Sequence, residues 1–116
     1  MAIDGPLQID VDRGKSDGTM IIRLSGPLTL RNIFDLQAQF RNMEAVPLTI
    51  IDMTGVPYMD SAGMGVVVNC HVHCQSRGGK FVAAGVSPRL LELFKITNVD
   101  KVIAMAPTPE EAETFV

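Results

Sequence analysis

The chain has 116 residues, room for one domain with its own core and no need of disulfide staples or a structural metal. Hydrophobic residues make up 47% and charged residues 20%, a globular balance that excludes disorder. The net charge of −3 and an aromatic share of 5% exclude a nucleic-acid or anionic-membrane binder, because nothing repays the repulsion from phosphate.

No apolar run approaches the roughly 20 residues of a membrane span, so no direct membrane insertion is expected. The start, MAIDGPLQIDVDR, lacks the basic-then-apolar layout of a secretory signal. Cys70 and Cys74 are the only cysteines and form no disulfide framework, which predicts a reducing, cytoplasmic address.

Leu7, Ile9 and Val11 alternate with Gln8, Asp10 and Asp12, the period of a half-buried strand. Asp17-Gly18 marks a hairpin turn, and Met20 to Leu24 forms the second strand, ended by Gly26-Pro27. Thr29 reads as the N-cap of a helix reaching Met43, with Leu30, Ile33, Phe34, Leu36 and Phe40 as its apolar positions. Pro47 stops it. Leu48 to Met53 is a nearly continuous apolar strand, the pattern of a sheet centre.

A loop at Thr54 to Met59 precedes a helix from Ser61 to Ser76, closed by Arg77-Gly78-Gly79. Lys80 to Ala84 is a fourth strand. Ser87-Pro88 starts a short helix carrying Leu90, Leu91, Leu93 and Phe94. Val102 to Met105 reads as a fifth strand. Thr108-Pro109-Glu110-Glu111 has capping-box spacing and opens a last helix through Phe115. From the third strand onward strands and helices alternate, which predicts parallel neighbours and right-handed crossovers.

The run Cys70-His71-Val72-His73-Cys74 holds every Cys and His of the chain. At about 100° per residue, Met64, Val67, Val68, His71 and Cys74 share a face, Cys70 lies at its edge and His73 points away. Ligands scattered around one helix cannot converge on a tetrahedral ion, so no metal is expected. Cys74 and His71 are expected in the core and His73 in solvent. His71 also lies about 15 Å along the helix from Ser61, out of reach as its base. Asp52 and Asp60 are the remaining carboxylates at strand and helix ends. No Gly-rich phosphate loop or dinucleotide fingerprint follows any strand. No catalytic residue and no cofactor is expected.

The informative segment is Tyr58-Met59-Asp60-Ser61-Ala62-Gly63-Met64-Gly65, between a buried strand and a helix. A helix N-terminus presents free N–H groups and a positive dipole end, which suit a phosphate. Gly63 and Gly65 permit close approach, by a neighbouring segment or by a partner. Read structurally, Asp60 or Ser61 is an N-cap and the glycines serve packing.

This segment, with Ile50-Ile51-Asp52-Met53 before it and Gly78-Gly79-Lys80-Phe81-Val82, Ser87-Pro88 and Leu93-Phe94 behind it, resembles the STAS domains of bacterial anti-sigma factor antagonists. The resemblance runs from about Leu7 to Phe115 and implies a single STAS domain over residues 1–116. It implies a mixed, mostly parallel sheet of four to five strands, with about four helices mainly on one face. It further implies that Ser61 is phosphorylated by an anti-sigma factor that is also a serine kinase. Asp60, Ser61, Ala62, Gly63, Met64 and Thr29 would form the partner-binding surface. The unphosphorylated form would bind the kinase, phosphorylation would release it, and a serine phosphatase would reverse the mark. Ala62 stands where relatives often carry a second Ser or Thr, and Thr29 where many carry an acid. A monomer or weak homodimer is expected. The alternative is a STAS scaffold or subunit module of a larger assembly, such as a stressosome-like complex or a lipid-transport system. A nucleotide-binding role is a third reading, which no phosphate-cradling motif supports.

Overall fold

The computed structural model describes residues 6–115. Its strands are β1 (Gln8–Arg13), β2 (Thr19–Ser25), β3 (Leu48–Gly55), β4 (Lys80–Ala84) and β5 (Ala104–Ala106). Its helices are α1 (Ile33–Asn42), α2 (Ser61–Ser76), α3 (Pro88–Ile96) and α4 (Pro109–Ala112), with 3₁₀ turns at Val99–Lys101 and Glu113–Phe115. The five strands lie in chain order in one sheet. β1 and β2 are antiparallel, and every later pair is parallel.

That order dictates where the helices go. Each step from β2 to β5 moves one strand in the same direction, and a right-handed crossover then places α1, α2 and α3 on the same face. The strand sequences match. Ile22, Leu24, Ile51, Met53, Phe81 and Ala83 form one core with Leu36 and Phe40 of α1, Val67 and Cys70 of α2, and Phe94 of α3. Alternate residues face the other way, where Ile21, Leu48, Ile50, Val82, Ala84 and Ala106 pack with Ala112 of α4. β3 is buried from Leu48 to Ile51, as its apolar run predicts.

The helix starts follow their caps. The Ser87 hydroxyl accepts from the Leu90 N–H at 3.3 Å, with Pro88 in the first turn. The Thr108 hydroxyl accepts from the Glu111 N–H at 3.1 Å. Gly78, at φ +82°, and the Gly79 N–H on the Cys74 carbonyl end α2.

Three expectations change. α1 starts at Ile33 rather than next to Thr29, and its N-cap Asn32 forms no side-chain cap bond. Leu30 and Phe34, two of the apolar positions assigned to that helix, are 62% and 66% exposed. β5 is displaced to Ala104–Ala106, because the 3₁₀ turn after Asn98, itself at φ +63°, delays pairing with β4. The buried stripe of α2 is centred on Gly63, Val67, Cys70 and Cys74, because α2 packs on α1 as well as on the sheet. His71 and His73 flank that stripe, one set edge-on against Phe81 and the other against Phe40.

The β1–β2 turn is tied to the 3₁₀ turn at Glu113–Phe115. The Ser16 N–H in the β1–β2 turn donates to the Glu113 carboxylate at 2.9 Å. That bond, helped by nearby Lys15, holds the Glu113 carboxyl below its usual range. A carboxyl lowered on folding stabilises the fold above its unfolded pKa, and loses that contribution as pH falls through the folded pKa. Glu113→Gln is therefore expected to be slightly less stable than the parent at pH 7 and equal to it in acid. Urea unfolding of both proteins from pH 7 to pH 3 measures this; a constant gap would show that the bond does not need the charge.

Candidate functional site

The parallel strands β2, β3 and β4 end at one edge of the sheet, and the segments leaving β2 and β3 are stitched together there. Leu28 and Met59 form a parallel bridge outside the strands. The Leu28 N–H donates to the Tyr58 carbonyl at 3.0 Å, and the Leu28 carbonyl accepts from the Asp60 N–H at 3.3 Å. This places residues 27–30 against the mouth of α2.

Asp60 completes the stitch. It is the N-cap of α2, and one carboxylate oxygen accepts from the Gly63 N–H at 2.8 Å. The other accepts from the Leu30 N–H at 3.1 Å. One side chain thus joins the helix to the neighbouring loop. The Met64 N–H is taken by the Asp60 carbonyl, so among the described residues the N–H groups of Ser61 and Ala62 are the free donors of the first turn. Ser61 itself is exposed, and its hydroxyl makes no hydrogen bond within the described residues.

The two glycines of this turn differ. A Cβ on Gly63 would lie 2.2 Å from the Leu28 carbonyl oxygen and 2.7 Å from the Met59 side chain. Gly63 is what lets the loop approach. A Cβ on Gly65 would meet nothing within 4 Å, and the residue is exposed. The fold has no use for glycine there.

The expected site residues therefore meet at one place but do not share one surface. Ser61 is exposed and Ala62 and Asp60 are half-buried, whereas Gly63, Met64 and Thr29 are buried. Thr29 caps nothing; its carbonyl accepts from Asn32 and Ile33, and its hydroxyl is buried without a partner among the described residues. Leu30 takes the surface position beside the mouth. On the far side of the mouth an open groove of about 530 Å³ runs between Tyr58-Met59 and α3, lined by Arg89, Leu90, Leu93 and Ile96.

The Cys and His residues lie along α2 beyond this turn. Burial, and then the neighbouring Cys74, raise the Cys70 thiol far above its usual pKa. Burial also raises Cys74, partly offset by the Thr49 hydroxyl and the Arg77 charge. Both are held as thiols at neutral pH, poor nucleophiles and poor ligands. Among the described residues no group of three or more His, Cys, Asp or Glu side chains is placed to hold a metal ion. Nor is any helix long and apolar enough to cross a membrane.

The family model of the STAS domain matches residues 10–112, so the chain belongs to the STAS domain family. The anti-sigma-B factor antagonist of Listeria monocytogenes is 43% identical over 53 residues, a match that spans 46% of each chain, about half its length. The solved structure of an anti-sigma factor antagonist from Mycobacterium paratuberculosis superposes with a TM-score of 0.83 at 20% identity, covering 95% of this chain and 93% of that one. The Bacillus cell fate determinant SpoIIAA, in its phosphorylated form, superposes with a TM-score of 0.70 at 20% identity, covering 94% and 100%. At such identities the two structures establish a shared fold.

The two glycines generate opposite expectations. Gly63→Ala is expected to destabilise the protein by about 1–3 kcal/mol, because its new methyl meets a backbone carbonyl that cannot swing aside. Gly65→Ala is expected to stabilise it by about 0.5–1 kcal/mol, the usual helical gain over glycine. Denaturant unfolding of the two variants checks both signs.

Proposed function

We propose that this protein is an anti-sigma factor antagonist, a regulatory binding protein without catalysis of its own, switched by phosphorylation of Ser61. The observation that carries the reading is the exposed, unbonded Ser61 hydroxyl at the mouth of α2, beside two free N–H groups and next to an Asp60 whose carboxylate is already engaged. Family membership and the antagonist function of the relatives support it, as does the phosphorylated state in which SpoIIAA is known.

In this reading the unphosphorylated mouth docks on an anti-sigma factor that is also a serine kinase. The kinase supplies ATP and transfers its γ-phosphoryl group to the Ser61 oxygen; the hydroxyl proton leaves with a base on the kinase, and ADP is the leaving group. The product carries about −1.5 to −2 charge at pH 7. The helix dipole tolerates that charge in the free protein. In the complex the same charge must lose water beside the Asp60 carboxylate, and the kinase is released. A serine phosphatase restores the hydroxyl.

The sheet topology also favours a macromolecular partner. Open α/β sheets bind small ligands in the crevice where successive crossovers turn to opposite faces. Here the crossovers all turn to one face, so the strand ends form no such crevice.

The test begins with the Ser61→Ala form as bait in the source cell and identification of the retained kinase. That kinase and ATP should place one phosphate on Ser61, mapped by mass spectrometry, and none on Ser61→Ala. Ser61→Asp should stay folded, gaining about 0.3–1 kcal/mol at the helix N-terminus. Its affinity should fall at least tenfold, about 1.4 kcal/mol, since a desolvated, unpaired charge at an interface costs more than that. A phosphate only at another residue, or undiminished affinity of a folded Ser61→Asp, overturns the reading and favours a scaffold module.

A further inference from the structure

We propose that Leu30 and Phe34 are the apolar anchor by which the kinase partner grips this protein, held in place beside Ser61 by the Asp60 carboxylate. The inference rests on the reading above and names a docking surface for it.

Both side chains are large, apolar and exposed, at 62% and 66%. Leaving two such residues in water sacrifices burial that the apolar positions nearby obtain, since Leu36 and Phe40 are at 0% and 4%. Local structure separates the two sets. Leu30 lies in the turn before α1, and Phe34 in the first turn of the helix. Ile33, Leu36 and Phe40 form the stripe of α1 that packs on the core, and at about 100° per residue Phe34 lies roughly 130° from its centre. Leu30 and Phe34 face solvent.

This exposed pair belongs to the mouth of α2. The Leu30 N–H is bonded to the Asp60 carboxylate, in the residue next to Ser61, and the preceding Leu28 is bridged to Met59. Leu30 is therefore fixed relative to the acceptor hydroxyl, and Phe34 follows four residues later in the first turn of α1. The neighbouring Arg31 and Asp35 are exposed. An apolar centre carrying an aromatic, with charges at its rim, is the anatomy of a protein interface, and aromatic anchors dominate the binding energy of such interfaces. The occupant is accordingly the protein that acts at Ser61, offering an apolar pocket beside the site of phosphoryl transfer.

Leu30→Ala and Phe34→Ala change exposed side chains, so both should melt as the parent does. Val102→Ala, 58% exposed on the far side of the chain's last crossover, is the control. With the kinase identified by the Ser61→Ala bait, titration calorimetry should show a tenfold or greater loss of affinity for Phe34→Ala. Leu30→Ala should lose at least threefold, and Val102→Ala should change less than twofold. Phosphorylation of Ser61 should show the same losses in KM with kcat nearly unchanged, because the anchor does not touch the reacting atoms. If Ser61→Asp weakens binding but the two alanine variants bind within twofold of the parent, the anchor is wrong and the switch stands. If Phe34→Ala weakens binding while Ser61→Asp does not, the anchor stands and the switch is wrong. Parent-like binding by all three overturns both.

Discussion

The carboxylate of Asp60 accepts from two N–H groups that belong to different parts of the chain, one in the first turn of α2 and one at Leu30. A neutral cap such as Ser satisfies one donor; a carboxylate with two oxygens satisfies two. The bonds are charge-assisted and hold both partners within about 3 Å. They operate only because Gly63 has no Cβ to hold the Leu28 carbonyl away. The arrangement of everything at the mouth, from the Leu28–Met59 bridge to the exposure of Ser61, follows from that one close approach.

The sheet supplies the setting. Strands in chain order with one sense of crossover put three helices on one face and leave the other to the small α4. Such a sheet has no reversal point and so none of the crevice that forms at one. At its strand ends it presents loops joined by main-chain bonds between them. The open groove lies between one of the stitched loops, at Tyr58 and Met59, and α3.

Much of this was legible in the sequence, and the failures have physical causes. Alternation and turn residues placed β1 and β2, and Ser-Pro and Thr-Pro pairs placed the starts of α3 and α4. The Asp-Ser-x-Gly-x-Gly segment located the mouth of α2. What misled was counting apolar residues near Thr29 as one helix without resolving its start or their angles: Leu30 lies in the turn before α1, and Phe34 is in α1 but points away from Ile33, Leu36 and Phe40. The angle of Phe34 was available from sequence alone; the late start of the helix was not. The bond from Asp60 to Leu30 had no such signal. Its partners are thirty residues apart, and only the pairing of their two loops brings them together. The buried arc of α2 was misjudged for a similar reason. A second helix at its side, invisible to periodicity, draws Cys70 to the centre and sets His73 against Phe40.

A mouth built this tightly constrains how a switch can work. Moving the loop at residues 27–30 would break the bonds from Leu28 to Tyr58, from Asp60 to Leu28 and from Leu30 to the carboxylate together. Each is worth about 1 kcal/mol net, and more where a charge takes part. A phosphate added to an exposed hydroxyl need not bear that cost. It has the Ser61 and Ala62 N–H groups to accept from and water on its outer side, so the free protein can carry it without rearrangement. The penalty arises on docking, when a partner strips that water from two adjacent anions sharing one helix end. The partner must then supply cations or desist. A rigid surface whose charge changes can therefore switch as sharply as a flexible one whose shape changes, and on the proposed reading the apolar pair at Leu30 and Phe34 would be in place whenever Ser61 is unmodified.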